Sequence, residues 1–153
     1  MHIYIIEVYV TYFIDYMYVR ISLRNYMARV LIVDDSTIQR TILRKFLERE
    51  NHEIVGEAIT GQPVLELYKE LNPDIVILDI ILPDANGITI LDQLMHYDRN
   101  ANIIMCSATA MQNIIIESIK LGAKGFLVKP ITGEALLKTV NKVLQMVKIV
   151  QEN

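Results

Sequence analysis

Four apolar runs in this chain each lead into residues that could handle a phosphoryl group or a cation. Val30-Leu31-Ile32-Val33 runs into Asp34-Asp35, and Ile75-Val76-Ile77-Leu78 runs into Asp79. Ile103-Ile104-Met105-Cys106 is followed by Ser107, and Phe126-Leu127-Val128 by Lys129-Pro130. If the runs are neighbouring parallel strands, three carboxylates, a hydroxyl and an ammonium converge on one edge of a sheet. Close carboxylates raise one another's pKa unless a cation sits among them. Oxygen-only ligands without His or Cys select Mg2+, with Mn2+ also admitted, over zinc. Lys129 supplies a compact positive charge for phosphoryl oxygens, and Ser107 can donate a hydrogen bond to one of them. A carboxylate can itself accept the phosphoryl group. A single acid after a strand is often only a helix cap or a loop charge. The shared edge argues for a site.

The elements that would place these residues alternate from residue 28 onward. The stretch 36–49 reads as a helix capped by Ser36, with Ile38, Ile42, Leu43, Phe46 and Leu47 as its apolar stripe. Arg40, Arg44, Lys45 and Arg49 fall outside that stripe. Glu53 to Ala58 reads as a short strand. Thr60-Gly61-Gln62-Pro63 opens a helix carrying Val64, Leu67, Tyr68 and Leu71, and Asn72-Pro73 stops it. Leu82 to Gly87 is a loop by its breakers. Helices are expected at 87–97, 111–121 and 132–149. Continuous apolar strands alternating with helices imply a parallel sheet covered on both faces. The expected fold is α/β, a doubly wound five-stranded parallel sheet of order 2-1-3-4-5, flavodoxin-like. That order puts a ligand site at the carboxyl ends of strands one and three.

Composition bounds the function. A chain of 153 residues suits one domain and buries about two thirds of its extended surface. The net charge of −3 leaves no basic footprint for nucleic acid. The one cysteine, Cys106, excludes an internal disulfide, suits a reducing, cytoplasmic setting, and reads as a small buried hydrophobe. His2, His52 and His96 have no metal-ligand spacing. Six of the eight tyrosines lie in residues 1–26, a segment with neither Gly nor Pro. Its apolar stretch is interrupted by Glu7 and Asp15, which argues against a membrane span, and no signal-peptide pattern is visible. Residues 1–26 are therefore expected to be an upstream extension or accessory arm, and 27–153 the functional domain.

Asp34-Asp35-Ser36, Asp79 with Pro83 and Gly87, Cys106-Ser107-Ala108, and Gly122-Ala123-Lys124-Gly125-Phe126-Leu127-Val128-Lys129-Pro130 together resemble the receiver domain of two-component response regulators. The likeness spans residues 28–149 and is greatest to single-domain, CheY-like receivers. It implies that Asp79 is the phosphoacceptor and that Asp35 binds Mg2+ directly, Asp34 chiefly through water. It implies that the backbone carbonyl of Ile81 is a further ligand. Ser107 would be the hydroxyl switch, Phe126 the aromatic that turns with it, and Lys129 the phosphoryl-binding lysine, joined to Pro130 by a cis bond. The donor would be a phosphohistidine on a sensor histidine kinase or phosphotransfer protein. Such a domain would catalyse only its own phosphorylation and dephosphorylation. Ile81 and Thr109 depart from the polar residues of fast-hydrolysing members, so a slower loss of phosphate is expected.

The chain ends one helix after Lys129, so the expected output is protein contact, with no DNA-binding or enzymatic effector in this chain. At 100° per residue, Met111, Ile114, Ile115, Ile116, Ile119 and Leu121 spread over roughly 220° of the fourth helix, so some must face outward. The face of helix 4, strand 5 and helix 5 is the expected surface for a downstream target or a homodimer. Two other classes compete. A haloacid-dehalogenase-like Mg2+-dependent phosphatase also uses Asp, Ser/Thr and Lys, but places its nucleophile on the first strand. A non-phosphorylated receiver scaffold would not need Asp79, Ser107 and Lys129 together.

Overall fold

The computed structural model describes residues 10–14, 17 and 26–151. Among the described residues there are five strands: β1 (Arg29–Val33), β2 (Glu53–Ala58), β3 (Ile75–Asp79), β4 (Ile103–Ser107) and β5 (Gly125–Val128). Each is followed by a helix: α1 (Thr37–Arg49), α2 (Val64–Leu71), α3 (Gly87–Tyr97), α4 (Gln112–Leu121) and α5 (Gly133–Gln151). All four strand pairings are parallel and the order is β2-β1-β3-β4-β5, as expected. Most of the arm, residues 1–26, lies outside the described residues; 10–14 are helical and exposed.

The strand runs are continuously apolar because both faces of the sheet are covered. Successive side chains point to opposite faces, so each strand feeds two cores. Val30, Ile32, Ile75, Ile77, Ile104 and Cys106 pack beneath α1 and α5, with Leu43, Leu47, Leu136 and Val140. Leu31, Val33, Val76, Leu78, Ile103 and Met105 pack on the other face with Val64, Tyr68, Ile90, Leu91 and Leu94. Cys106 is buried and free, as expected. Each large aliphatic side chain buried in these layers contributes about 1.5–3 kcal/mol relative to exposure.

Helix ends follow local chemistry. Ser36 caps α1 by accepting a hydrogen bond from Gln39 N, and Asn86 caps α3 by accepting one from Ile88 N. Gly122 ends α4 at φ 112°, a left-handed conformation that a Cβ would strain. One expectation is corrected in α1. Leu43 and Leu47 are buried, but Ile38 is 75% exposed and Ile42 also faces solvent. Ile38 lies about 140° around the helix from Leu43, beyond the strip that meets the sheet. Gln39, four residues before Leu43, takes the upper place on that strip.

Candidate functional site

The carboxyl ends of the strands carry the chemistry. Asp79 is the last residue of β3 and Ser107 the last of β4. Asp34 and Asp35 follow β1 directly, and Lys129 follows β5. Because β1 and β3 are adjacent while their helices leave to opposite faces, their ends border a crevice. One carboxylate oxygen each from Asp34, Asp35 and Asp79 lies within 4.8 Å of the others. Asp34 and Asp79 are buried, at 1% and 5% exposure, and Asp35 is exposed. Lys129 Nζ donates to Asp34 Oδ2 at 2.8 Å and to Asp79 Oδ2 at 2.7 Å.

The remaining carboxylate oxygens are held by backbone. Asp79 Oδ1 accepts from Ile81 N at 3.2 Å, and Asp34 Oδ1 from Ser36 N at 2.8 Å. Arg40 Nη1 donates to the Asp34 backbone carbonyl at 2.8 Å, while its Nε donates to Glu57 on β2. Burial pushes the Asp79 carboxyl above its ordinary pKa; the Lys129 ammonium opposes this only in part, and Asp34 adds to it. Burial alone would lower Lys129, but its bonds to Asp34 and Asp79 outweigh that and leave it raised. Asp34 and Asp79 therefore share one ammonium, with the Asp35 carboxylate beside them. That donor set, all oxygen and with excess negative charge, suits a hard divalent cation.

The other expected residues surround this centre. Ser107 is buried; its Oγ accepts from Thr109 N at 3.1 Å, and its carbonyl accepts from Lys129 N at 2.7 Å. The Lys129–Pro130 bond is cis. Phe126 is half-buried and packs on the α2–α3–α4 side of the sheet. The Ile81 side chain is 70% exposed beside the Asp79 carboxylate that its own N–H holds.

Two supports were not read from the sequence. Asp84 accepts from Gly61 N at 2.7 Å and Gln62 N at 2.9 Å, tying the loop after β3 to the loop after β2. Those backbone donors hold its carboxyl below the usual range. Arg40 was placed only outside the stripe of α1, although it anchors the Asp34 backbone. Neither has a local signal, because each partner lies more than a strand away or on another element. Gly87 is needed where α3 starts: its N donates to Ile80 O at 2.6 Å, and a Cβ there would collide with the Asp79 carbonyl oxygen. Among the described residues no helix is long and apolar enough to cross a membrane.

The response regulator receiver domain family matches residues 30–141. The chain is 46% identical over 115 residues to chemotaxis protein CheY of Thermotoga maritima, covering 75% of this chain and 96% of that protein. It is 42% identical over 116 residues to CheY of Bacillus subtilis, covering 76% and 97%. It overlays with a TM-score of 0.74 on a chain in the crystal structure of the CheX–CheY–BeF3–Mg2+ complex from Borrelia burgdorferi. That match has 37% identity and covers 76% of this chain and 89% of that one.

Proposed function

The chain belongs to the response regulator receiver family, and from that premise we propose that Asp79 is the residue that accepts the phosphoryl group. The observation that carries this reading is the Lys129 ammonium lying between Asp79 Oδ2 and Asp34 Oδ2 at 2.7 and 2.8 Å. The same cation that neutralises the resting carboxylates is thereby in place for phosphoryl oxygens. In the reaction a carboxylate oxygen of Asp79 attacks phosphorus in line, and the bond from phosphorus to the donor's imidazole nitrogen breaks. The electron pair of that bond leaves with the imidazole, and Lys129 balances charge on the transferring oxygens. Asp35, Asp79 and the backbone carbonyl of Ile81, with Asp34 chiefly through water, are the proposed ligands of Mg2+, with Mn2+ as a substitute. Bound there, the metal would neutralise charge on the carboxylates and the transferring group. The Borrelia complex, which holds Mg2+ and BeF3 with CheY, supports that choice of ion.

The donor is a sensor histidine kinase or phosphotransfer protein in the cytoplasm, and the chain contributes catalysis only to its own phosphorylation and dephosphorylation. Ser107 closes on the phosphoryl group and Phe126 follows it. The signal is read on the surface of α4, β5 and α5, by a downstream protein or by a second copy. Met111, Ile116, Ile119 and Val128 are all exposed, which supports an apolar contact there. The phosphatase alternative is disfavoured by the position of Asp79 on β3.

The test is incubation with acetyl phosphate and Mg2+, read by intact mass. One added phosphoryl group on the parent and none on Asp79→Asn is the expected result. Equal uptake by both would overturn the assignment. Sustained turnover of the donor would favour a phosphatase, and no uptake by the parent a scaffold.

A further inference from the structure

We propose that Gln39 is a positioning residue of the cation site, acting through the Ser36 amide on Asp34. The proposal rests on the reading of Asp34, Asp35 and Asp79 as the Mg2+ site. Ser36-Thr37-Ile38-Gln39 has the pattern of a capping box. In a closed box, the cap side chain accepts from the N–H three residues on, and the side chain there accepts from the N–H of the cap. Only the first bond is made here: Gln39 N donates to Ser36 Oγ at 3.2 Å. The second donor, Ser36 N, is engaged instead by Asp34 Oδ1 at 2.8 Å. The Gln39 Nε2 atom is left buried with no partner among the described residues. A buried amide in that condition carries a penalty that another conformation would relieve.

Both oxygens of Asp34 are engaged within the protein, Oδ2 by Lys129 and Oδ1 by Ser36. A cation, or a water bound to it, that draws on Asp34 Oδ1 turns the carboxylate and weakens its bond to the Ser36 amide. When Asp34 releases that amide, the Gln39 side chain rotates, its Oε1 accepts the Ser36 N–H, and the capping box closes. The orphan Nε2 leaves its buried position in the same movement. Arg40 keeps the Asp34 carbonyl fixed at 2.8 Å, so the exchange involves side chains and leaves the loop backbone in place. Gln39 thereby offsets the loss of a helix-terminal hydrogen bond that cation binding would otherwise impose.

The experiment is a Mg2+ titration of the full chain followed by the 15N–1H spectrum, for the parent, Gln39→Met and Gln39→Glu. Methionine keeps the volume without an acceptor; glutamate restores the acceptor. Gln39→Met should bind Mg2+ roughly threefold to tenfold more weakly, the factor carried by one net hydrogen bond. The Ser36 amide resonance should move on Mg2+ binding in the parent and in Gln39→Glu, and end at a solvent-exposed position in Gln39→Met. A parent that binds Mg2+ with an affinity unchanged in Gln39→Met, or with the same Ser36 shift in all three proteins, overturns the exchange alone. A parent that binds no Mg2+ overturns the reading of the acidic site as well.

Discussion

At the scale of single residues, if Asp79 accepts the phosphoryl group as proposed, the side chains beside it set how long that group lasts. Hydrolysis needs a water in line with the aspartyl phosphate. The Ile81 side chain stands exposed at the rim, tethered by its own N–H to Asp79 Oδ1, and cannot orient that water. Ile81→Asn should therefore speed loss of phosphate roughly tenfold, the worth of one polar contact in a transition state. Following the phosphorylated fraction by intact mass over time checks this, and an unchanged rate removes the argument. His52 makes a separate, pH-dependent contribution at the far end of β1. Its Nδ1 accepts the Ala28 N–H at 3.2 Å inside the protein. Burial lowers its pKa from 6.5, against a smaller opposing pull from Glu50. Between that lowered value and 6.5 the unfolded chain binds a proton that the folded one does not. Stability from this group is thus complete above 6.5 and falls as pH drops through the window. His52→Gln, which keeps an acceptor but does not titrate, should lose less stability than the parent between about pH 7 and pH 5.5 in urea unfolding.

At the scale of elements, the site depends on how closely α3 approaches β3. Gly87 lies against the Asp79 carbonyl, and an added Cβ would also stand 2.7 Å from Ile80 Cα. These are backbone atoms, so they cannot yield as a flexible side chain would. Gly87→Ala should cost about 3 kcal/mol and lower the yield of phosphorylation by moving the loop that carries Ile81. Chemical denaturation and acetyl phosphate uptake measure the two effects. Helix α4 behaves differently. Ile114, Ile115 and Leu121 are half-buried, while Ile119 is 61% exposed, matching the expectation that so broad an apolar arc cannot all face the sheet. Helix α1 diverged because Ile38 and Ile42 extend the hydrophobic count but not the contact strip.

At the scale of the molecule, the described residues from Met27 onward already hold a complete five-stranded sheet. Among the described residues Ala28 is the first that is fully buried, on the α1–α5 side, and the sheet runs from β1 onward. A protein starting at Met27 should fold with unchanged cooperativity and take up phosphate to the parent's extent. Thermal unfolding and intact mass decide this, and an unfolded or inactive product would make residues 1–26 part of the core.

The sheet, its order and the ends that carry Asp34, Asp35, Asp79, Ser107 and Lys129 were legible because they depend on local pattern. Apolar runs of strand length, breakers and caps act within a few residues, and parallel strands with right-handed crossovers leave few ways to join them. What the sequence determined by itself was therefore which residues would come to one edge. Their partners were decided by tertiary structure. Lys129 meets Asp34 across 95 residues and Asp79 across 50, and Asp84 meets Gly61 across 23. The pattern around Gln39 was local, yet its outcome was not. Ser36 N chose the Asp34 carboxylate over the Gln39 amide, where Asp34 is itself held by a lysine from the far end of the sheet. A local motif states which bonds are available; the packed neighbours, through burial and charge, select among them.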